Sequence, residues 1–226
     1  SVSLGDLTAV DPSTLEVPDI LTAGFPCTPV SHAGKQQGLS DDRWIFDDVV
    51  SFLMGLNSLP ERLVFENVRN LLSHDKGRTA LDVVRQVAGL GGYDLRWGCV
   101  RASDAGLPHR RERWFAVATH PDRPRLAGEE SAQRYDLPSR CGLSRSETAA
   151  EIWGAYAAAV RRWELISGVD APEPIDENRW LRPHFVEWMM AFEKGWVTDV
   201  ITTKTHSLRL LGNAVCPPQA ALALDL

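Results

Sequence analysis

The sequence predicts an α/β fold built on a mostly parallel sheet with an antiparallel hairpin at one edge. Two observations lead to this prediction. Short apolar strands alternate with amphipathic helices in the first 90 residues, and the next two strands follow each other with no helix between them. Strand–helix alternation is typical of parallel sheets, because each crossover returns the chain to the same end of the sheet. Strands joined by a loop alone pair antiparallel.

Local patterns place these elements along the chain. Apolar runs bounded by Gly and Pro are typical of short buried strands, and apolar residues three and four positions apart are typical of helices with one buried face. The segment Gly89-Leu90-Gly91-Gly92 follows a helix and precedes a strand, the reverse of a dinucleotide-binding loop, so we interpret it as a helix stop. The predicted strands are residues 19–24, 62–66, 93–101 and 113–119, and the predicted helices are residues 43–59 and 79–90.

The chain after His120 has a different composition. Residues 121–145 are rich in Pro, Arg, Glu and Ser and predict a loop, and residues 168–177 predict a Pro-rich linker. The predicted helices of this half are residues 149–166, residues 185–192 and an Ala/Leu-rich start near the C-terminus.

Composition excludes several classes of protein. With 226 residues, 44% of them hydrophobic and 24% charged, the chain resembles ordinary globular proteins and can bury a core. It holds no apolar run of the roughly 18–20 residues that cross a membrane. Its four cysteines are widely spaced and form no C-x-x-C pair. This argues against a zinc site and a disulfide scaffold, and for a reducing cytoplasm.

The charge distribution leaves two interpretations open. A net charge of −6 does not by itself indicate a nucleic-acid-binding protein. Between Arg96 and Arg125, however, seven arginines outnumber three acids, a local charge of +4. Both a solvated loop surface and an anion-binding patch have this composition.

Reactive side chains occur at the ends of three predicted strands. A thiol, Cys27, follows Pro26 after the first strand, a carboxylate, Glu66, closes the second, and Arg111 and Arg113 open the fourth. Open α/β sheets assemble their active sites at strand ends. A nucleophile, a proton donor and a pair of guanidiniums are what covalent chemistry on an electron-poor ring requires.

Each of these residues also has a structural interpretation. Single cysteines often pack in a core, a carboxylate at a strand end often serves as a cap or in an ion pair, and arginines there are often solvated. Asn67 is suited to hold a loop through an Asx turn, a purely structural role. Strand alternation would place Arg111 and Arg113 on one side, which suits binding of a carbonyl, phosphate or carboxylate group.

Together these segments resemble the motifs of the DNA cytosine-5 methyltransferase family. They are similar to its catalytic loop and the continuation of that loop, its Glu-Asn-Val, Gln-x-Arg-x-Arg and Gly-Asn-Ser/Ala-Val-x-Pro motifs, and its adenine-binding segment. In that order they are Gly24-Phe25-Pro26-Cys27 with Ser31, Gly34-Lys35-Gln36 with Gly38, Glu66-Asn67-Val68, His109 to Arg113, Gly212-Asn213-Ala214-Val215 with Pro217, and Gly5-Asp6-Leu7. The block from Trp153 to Met190 resembles small methylases of actinobacteria and their phages.

The resemblance implies a Rossmann-like class I methyltransferase that uses S-adenosyl-L-methionine and methylates C5 of a cytosine flipped out of double-stranded DNA. It implies that Cys27 adds to C6 and that Glu66 hydrogen-bonds and protonates N3. It further implies that Arg113 holds O2 and that Arg111 orients the loop and phosphate near Cys27. The implied cofactor-binding residues are Asp6, Leu7, Pro26, Ile45, Asn213 and Val215. No metal and no membrane are expected.

The resemblance also predicts the organisation of the chain. Residues 1–120 form the catalytic core, residues 121–180 a small target-recognition region, and residues 181–226 a segment that returns to the core. The family begins with a strand and a Phe-x-Gly-x-Gly loop that have no counterpart before Asp6. We therefore expect an N-terminally truncated chain or one half of a split enzyme, with weak or no cofactor binding unless another chain supplies the segment. The expected location is the cytoplasm of a bacterium or a phage-infected host.

Two other functions remain open from the sequence. One is an inactive remnant that binds DNA without methylating it. The other is a cysteine hydrolase that uses Cys27 with His32 or His74.

Overall fold

A computed structural model describes residues 5–26, 44–121 and 153–226. The described chain forms two compact units. Unit 1 contains residues 5–26, 44–100 and 112–121 together with Leu226, and unit 2 contains residues 101–111 and 153–225. The division into residues 1–120, 121–180 and 181–226 stays a prediction.

The described part of unit 1 forms a four-stranded sheet in the order β1-β2-β4-β3. β1 runs parallel to β2, and β4 runs antiparallel to β2. The parallel pair requires a crossover, and α1 lies between β1 and β2 in the chain. The predicted α/β fold with an antiparallel strand is therefore confirmed. The strands are β1, Ile20–Gly24; β2, Arg62–Val68; β3, Asp94–Arg101; and β4, Glu112–Thr119; the helices of this unit are α1, Phe46–Gly55, and α2, Arg78–Gly89.

The core of unit 1 lies between the sheet and the two helices. α1 buries Phe46 and Leu53, α2 buries Val83 and Val87, and β2 contributes the fully buried Phe65. The three- and four-residue spacing of Phe46, Val49 and Leu53 is the pattern that predicted α1. In α2 the buried face differs from the apolar pattern of the sequence, because Leu81 is 46% exposed. α2 ends at Gly89, and both Gly91 and Gly92 adopt positive φ angles, of 132° and 85°. The predicted helix stop is confirmed.

Unit 2 is helical in the part that the structure describes. Its second core contains Trp163, Phe185 and Trp188, and the Trp163 indole donates a hydrogen bond to the Trp188 carbonyl at 3.1 Å. None of the described helices is both long and apolar enough to cross a membrane. The helices are α3, Ala157–Ser167; α4, Pro183–Met189; α5, Lys204–Asn213; and α6, Pro217–Ala223.

Several elements differ from their predictions. α1 ends at Gly55, four residues before the predicted end, and α4, Pro183–Met189, begins two residues and ends three residues earlier than predicted. β2 extends to Val68, two residues past its predicted end, so Glu66 and Asn67 lie within a strand. β4 begins at Glu112, so strand alternation does not reach Arg111. α5 was not predicted, because its first turn is polar and Gly212 lies in its last turn. A short sequence with few apolar positions gives a weak helical pattern.

Candidate active site

The carboxyl ends of β1 and β2 lie side by side in unit 1. Gly24, the last residue of β1, is opposite Glu66 in the parallel register. A Cβ atom at Gly24 would lie 3.5 Å from Oε2 of Glu66, so the β1 backbone is in van der Waals contact range of the carboxylate. The segment that continues to Cys27 therefore leaves the sheet beside Glu66, as the sequence predicted for neighbouring strand ends. Cys27 itself lies outside the described residues.

Glu66 forms an ion pair with Arg113 across the antiparallel strands. Arg113 Nε lies 3.0 Å from Glu66 Oε1, and only 14% of the Glu66 side chain and 18% of the Arg113 side chain are exposed. The pair is diagonal, because Glu66 is opposite Phe115 and Arg113 is opposite Val68. A carboxylate shielded from water in this way needs a compensating charge, which Arg113 provides. The structure thus brings together two of the predicted catalytic residues.

Asn67 fixes the chain where it leaves β1. Its side chain is 1% exposed; Nδ2 donates to the Phe25 carbonyl at 3.0 Å, and Oδ1 accepts from the Val68 amide at 2.8 Å. The Phe25 ring is also buried, with its centroid 4.9 Å from that of Phe46 and 5.5 Å from that of Trp44. Asn67 therefore holds this segment through a long-range hydrogen bond to Phe25, which differs from the local Asx turn expected from the sequence.

Arg111 binds the end of α5 within unit 2. Its Nη1 donates to the Gly212 carbonyl at 2.8 Å and its Nη2 to the Ala214 carbonyl at 2.7 Å. A guanidinium at a helix C-terminus satisfies carbonyls that lack intrahelical donors and interacts favourably with the helix dipole. Arg111 therefore fixes the Gly-Asn-Ala-Val segment, a contact that the sequence did not indicate. The sequence also predicted that Arg111 orients the loop near Cys27. This stays a prediction, because that loop lies outside the described residues.

Two further side chains position Arg111, and sequence reasoning missed both roles. Gln219, fully buried in α6, donates through Nε2 to the Arg111 carbonyl at 3.0 Å. His109 Nε2 lies 3.1 Å from the Met189 carbonyl, and His109 Nδ1 lies 3.4 Å from the Arg111 amide. The tautomer with its proton on Nε2 satisfies both contacts. The sequence held one signal for the role of Gln219, which is that this amide is isolated at the start of an Ala/Leu-rich helix.

The predicted cofactor residues of unit 1 lie near its first turn and on its core. Asp6 caps a short 3₁₀ turn, Leu7–Ala9, and its Oδ1 accepts from the Thr8 amide and hydroxyl at 2.9 and 2.8 Å. These hydrogen bonds, the backbone one foremost, lower the pKa of Asp6. Leu7 and Ile45 are half-buried and pack against the same core, whereas Pro26 is exposed.

The predicted cofactor residues of unit 2 belong to the segment that Arg111 binds. Asn213 is the last residue of α5 and is exposed, and Val215 follows the Ala214 cap and is half-buried. In the described ranges, no group of three or more His, Cys, Asp or Glu side chains is placed to hold a metal ion.

The histidines considered for a cysteine hydrolase give no support to that function. His32 lies outside the described residues. His74 Nδ1 lies 2.8 Å from Oγ1 of Thr79, which is buried in the first turn of α2. This contact gives His74 a structural role at the start of a helix.

Comparisons with known proteins agree with the motifs. The family model for the C-5 cytosine-specific DNA methylases matches residues 1–168. The Type II methyltransferase M.NlaX of Neisseria lactamica is 40% identical over 114 residues, and M.DsaV of Dactylococcopsis salina is 38% identical over 161 residues. These alignments cover 50% and 71% of this chain but 36% and 44% of the relatives. The chain thus spans less than half the length of the curated relatives it matches.

A solved structure supports the fold. The Dnmt2 methyltransferase of S. pombe superimposes with a TM-score of 0.55 at 18% identity, covering 97% of this chain and 83% of that one. At this low identity, the superposition shows that the two proteins share a fold, and it does not show that they share a reaction.

Proposed function

Because the chain belongs to the family of C-5 cytosine-specific DNA methylases, we propose that it methylates C5 of cytosine in double-stranded DNA, with S-adenosyl-L-methionine as the donor. The observation that carries this proposal is the Glu66–Arg113 ion pair at the end of β2, 3.0 Å long and largely shielded from water. Paired acid and guanidinium groups beside the chain that leads to Cys27 suit covalent chemistry on a pyrimidine ring. A location in the cytoplasm of a bacterium or phage-infected host, where such DNA is found, is part of the proposal.

Glu66 and Arg113 have complementary tasks in this proposal. In its protonated form, the Glu66 carboxyl group gives its O–H proton to N3 as negative charge builds on the ring, and its other oxygen accepts a hydrogen bond from the exocyclic amine. The group is then left as a carboxylate paired with Arg113. The Arg113 guanidinium donates to O2 and stabilises the same charge. Their ion pair orients both side chains before the base arrives, which reduces the reorganisation that the reaction requires.

Cys27 is the proposed nucleophile. The target base must leave the duplex, because its ring atoms are inaccessible while it is stacked. The Cys27 thiolate forms a bond to C6, and the displaced π electrons make C5 nucleophilic. After C5 has gained its methyl group, a base takes the C5 proton, the S–C6 bond breaks and the thiolate is regenerated, and N3 returns its proton to the Glu66 carboxylate. Asn67 supports this step by fixing Phe25, two residues before Cys27.

The side chains of unit 1 fit the adenosine part of the donor, which supplies an electrophilic methyl group when bound. The Asp6 carboxylate is a suitable acceptor for the adenine amine, since Thr8 contacts only its Oδ1 among the described residues. Leu7 and Ile45 offer half-buried apolar surface for the ring. We propose that Pro26 lies beside the donor. The cofactor-binding role of Asn213 and Val215, on the segment of unit 2 that Arg111 fixes, stays a prediction.

A further strand beside β1 is part of the proposal. Among the described residues β1 has one strand neighbour, β2, and Ile20 at its start is 42% exposed. An apolar edge strand with open backbone groups is a template for another strand. We propose that a segment preceding this sequence, in the same or another chain, pairs there and contributes to cofactor binding.

Methyl transfer tests the proposal directly. Tritium transfer from labelled S-adenosyl-L-methionine to plasmid DNA is measured for this chain, for a version extended upstream in its gene, and for Cys27→Ala in both. Cys99→Ala, a half-buried cysteine on β3, is the matched control. We expect transfer by the extended version, its loss in Cys27→Ala and its retention in Cys99→Ala.

Other outcomes separate the alternatives. Transfer by this chain alone contradicts the need for the additional strand. Absence of transfer from both versions, without a covalent adduct on DNA that carries 5-fluorocytosine, contradicts the methyltransferase proposal and favours a DNA-binding remnant.

A further inference from the structure

A small cleft lies in unit 2, between the start of α4, the start of α5 and the turn before α4. Its volume is about 240 Å³. Arg182, His184 and Lys204 contribute basic side chains to its lining, Thr202 a hydroxyl and Asp176 the one carboxylate. The charged side chains of the lining are therefore predominantly basic.

The charges of the cleft are fixed in place. The Asp176 carboxylate is fully engaged: Oδ1 accepts from the Asn178 and Trp180 amides at 3.0 and 2.9 Å, and Oδ2 lies 2.7 Å from Lys204 Nζ. The hydrogen bond from Lys204 is the main reason why the pKa of Asp176 is lowered. The same ammonium lies 5.7 Å from the centroid of the Trp180 ring. Lys204 is thus held by two partners, which lowers the entropy that it loses when it binds an anion.

Arg182 is oriented in a similar way. Its Nε donates to the Ile175 carbonyl at 2.9 Å, and its Nη2 lies 3.2 Å from Glu173. Glu173 does not line the cleft, and 79% of its side chain is exposed, so solvent weakens this ion pair. No acidic residue lies in the first turn of α5, which begins at Lys204.

The sum of these charges matches one phosphodiester. Within the lining, the Arg182 and Lys204 cations outnumber the Asp176 carboxylate by one, and Glu173, which pairs with Arg182, lies outside the lining. A backbone phosphate of DNA carries one negative charge and offers several acceptor oxygens. Guanidinium, ammonium and hydroxyl donors are the groups that bind phosphate in proteins.

We propose that this cleft binds a phosphate group of the DNA backbone and so positions unit 2 on the duplex. The proposal rests on the proposed function for its source of phosphate, and on the cleft itself for the phosphate chemistry. Contacts of this kind set register and orientation without reading sequence. The cleft is thereby assigned a positioning role.

The experiment measures the salt dependence of binding to a duplex oligonucleotide of random sequence. Arg182→Gln and Lys204→Gln each remove one phosphate-facing cation, so the slope of log K against log salt should become less negative by about 1. Affinity at low salt should fall about tenfold. Lys194→Gln, an exposed lysine of the same unit that does not line the cleft, should leave the slope unchanged. An equal slope in all four proteins overturns the proposal.

Two additions keep the test decisive. Thr202→Val removes only an exposed hydroxyl of the lining and should weaken binding about threefold, with unchanged unfolding temperature. Line broadening of inorganic phosphate in ³¹P spectra probes the cleft without DNA. Broadening that Arg182→Gln removes, together with an unchanged DNA slope, overturns the DNA backbone as the source. The same broadening in a chain that binds no DNA supports the cleft and contradicts the proposed function.

Discussion

Asn67 Nδ2 lies 3.0 Å from the carbonyl oxygen of Phe25, and this hydrogen bond joins the ends of the two parallel strands β1 and β2. It connects two segments that are 42 residues apart in sequence. Because Glu66 precedes Asn67 in the same strand, their side chains point to opposite faces of the sheet. One face of β2 thus presents the carboxylate that pairs with Arg113, while the other holds the start of the segment leading to Cys27.

Asn67→Ala should destabilise the protein and slow methyl transfer. The substitution leaves the Phe25 carbonyl and the Val68 amide without the side-chain partner that each now has, at a cost of about 1–3 kcal/mol in the free energy of unfolding. Urea unfolding measures this cost. Asn57→Ala is the matched control, because Asn57 Nδ2 donates to the Ser13 carbonyl at 2.7 Å on the exposed surface. An equal loss of unfolding free energy in both variants would show that burial of the Asn67 hydrogen bond does not determine the loss of stability.

Glu66→Gln should abolish most of the activity while DNA binding persists. Glutamine keeps the shape of the side chain but loses the acid, and loss of a general acid typically costs about 10²–10⁴-fold in rate. Single-turnover methyl transfer and DNA affinity, measured on the version that is active, separate the two effects. Glu112→Gln is the control, since Glu112 lies 3.4 Å from the exposed Arg69. A Glu66→Gln rate within threefold of the native rate would rule out the proposed proton transfer.

The sequence predicted the parts of this site that depend on local pattern. β1, β2, α1 and α2 follow from periodicity, and the position of Glu66 beside Gly24 follows from the parallel pairing of β1 and β2. The contacts of Arg111 were not predictable, because they depend on the non-local packing of α5, a helix without a clear apolar stripe. The orientation of Gln219 toward Arg111 is likewise a tertiary property.

Ala191→Gly should stabilise the protein. Ala191 has a φ angle of 61°, a left-handed conformation that costs residues with a Cβ about 1–2 kcal/mol and costs glycine little. Part of this gain is offset by the greater freedom of glycine in the unfolded chain. We expect a net increase of about 0.5–1 kcal/mol in the free energy of unfolding, measured in urea.

Ala221→Gly is the opposite control for Ala191→Gly. Ala221 is exposed in the interior of α6, where glycine should lower the free energy of unfolding by about 0.5–1 kcal/mol. The same sign for both variants would contradict the role assigned to the backbone of Ala191.

Glu187 should make the stability of the protein depend on acid pH. Its carboxylate is 1% exposed and accepts hydrogen bonds from the Gly195, Val197 and Thr198 amides and from the Thr198 hydroxyl, at 2.6–3.0 Å. Burial raises the pKa of Glu187, but these hydrogen bonds outweigh it and hold the pKa below its usual value. The ionised form is therefore the one that folding favours.

The sign of the pH effect follows from linkage. A carboxyl group whose folded pKa is lowered adds stability above its unfolded pKa of about 4.3, and this stability disappears as the pH falls through the folded pKa. Glu187→Gln should cost about 2–3 kcal/mol at pH 7, because an amide NH₂ then meets backbone donors, and the difference from the native protein should shrink below about pH 4. Urea unfolding at pH 7, 5 and 3.5 measures it. The exposed Glu193→Gln should show little difference at any pH, and a constant Glu187→Gln deficit down to pH 3.5 would show that packing, not charge, is responsible.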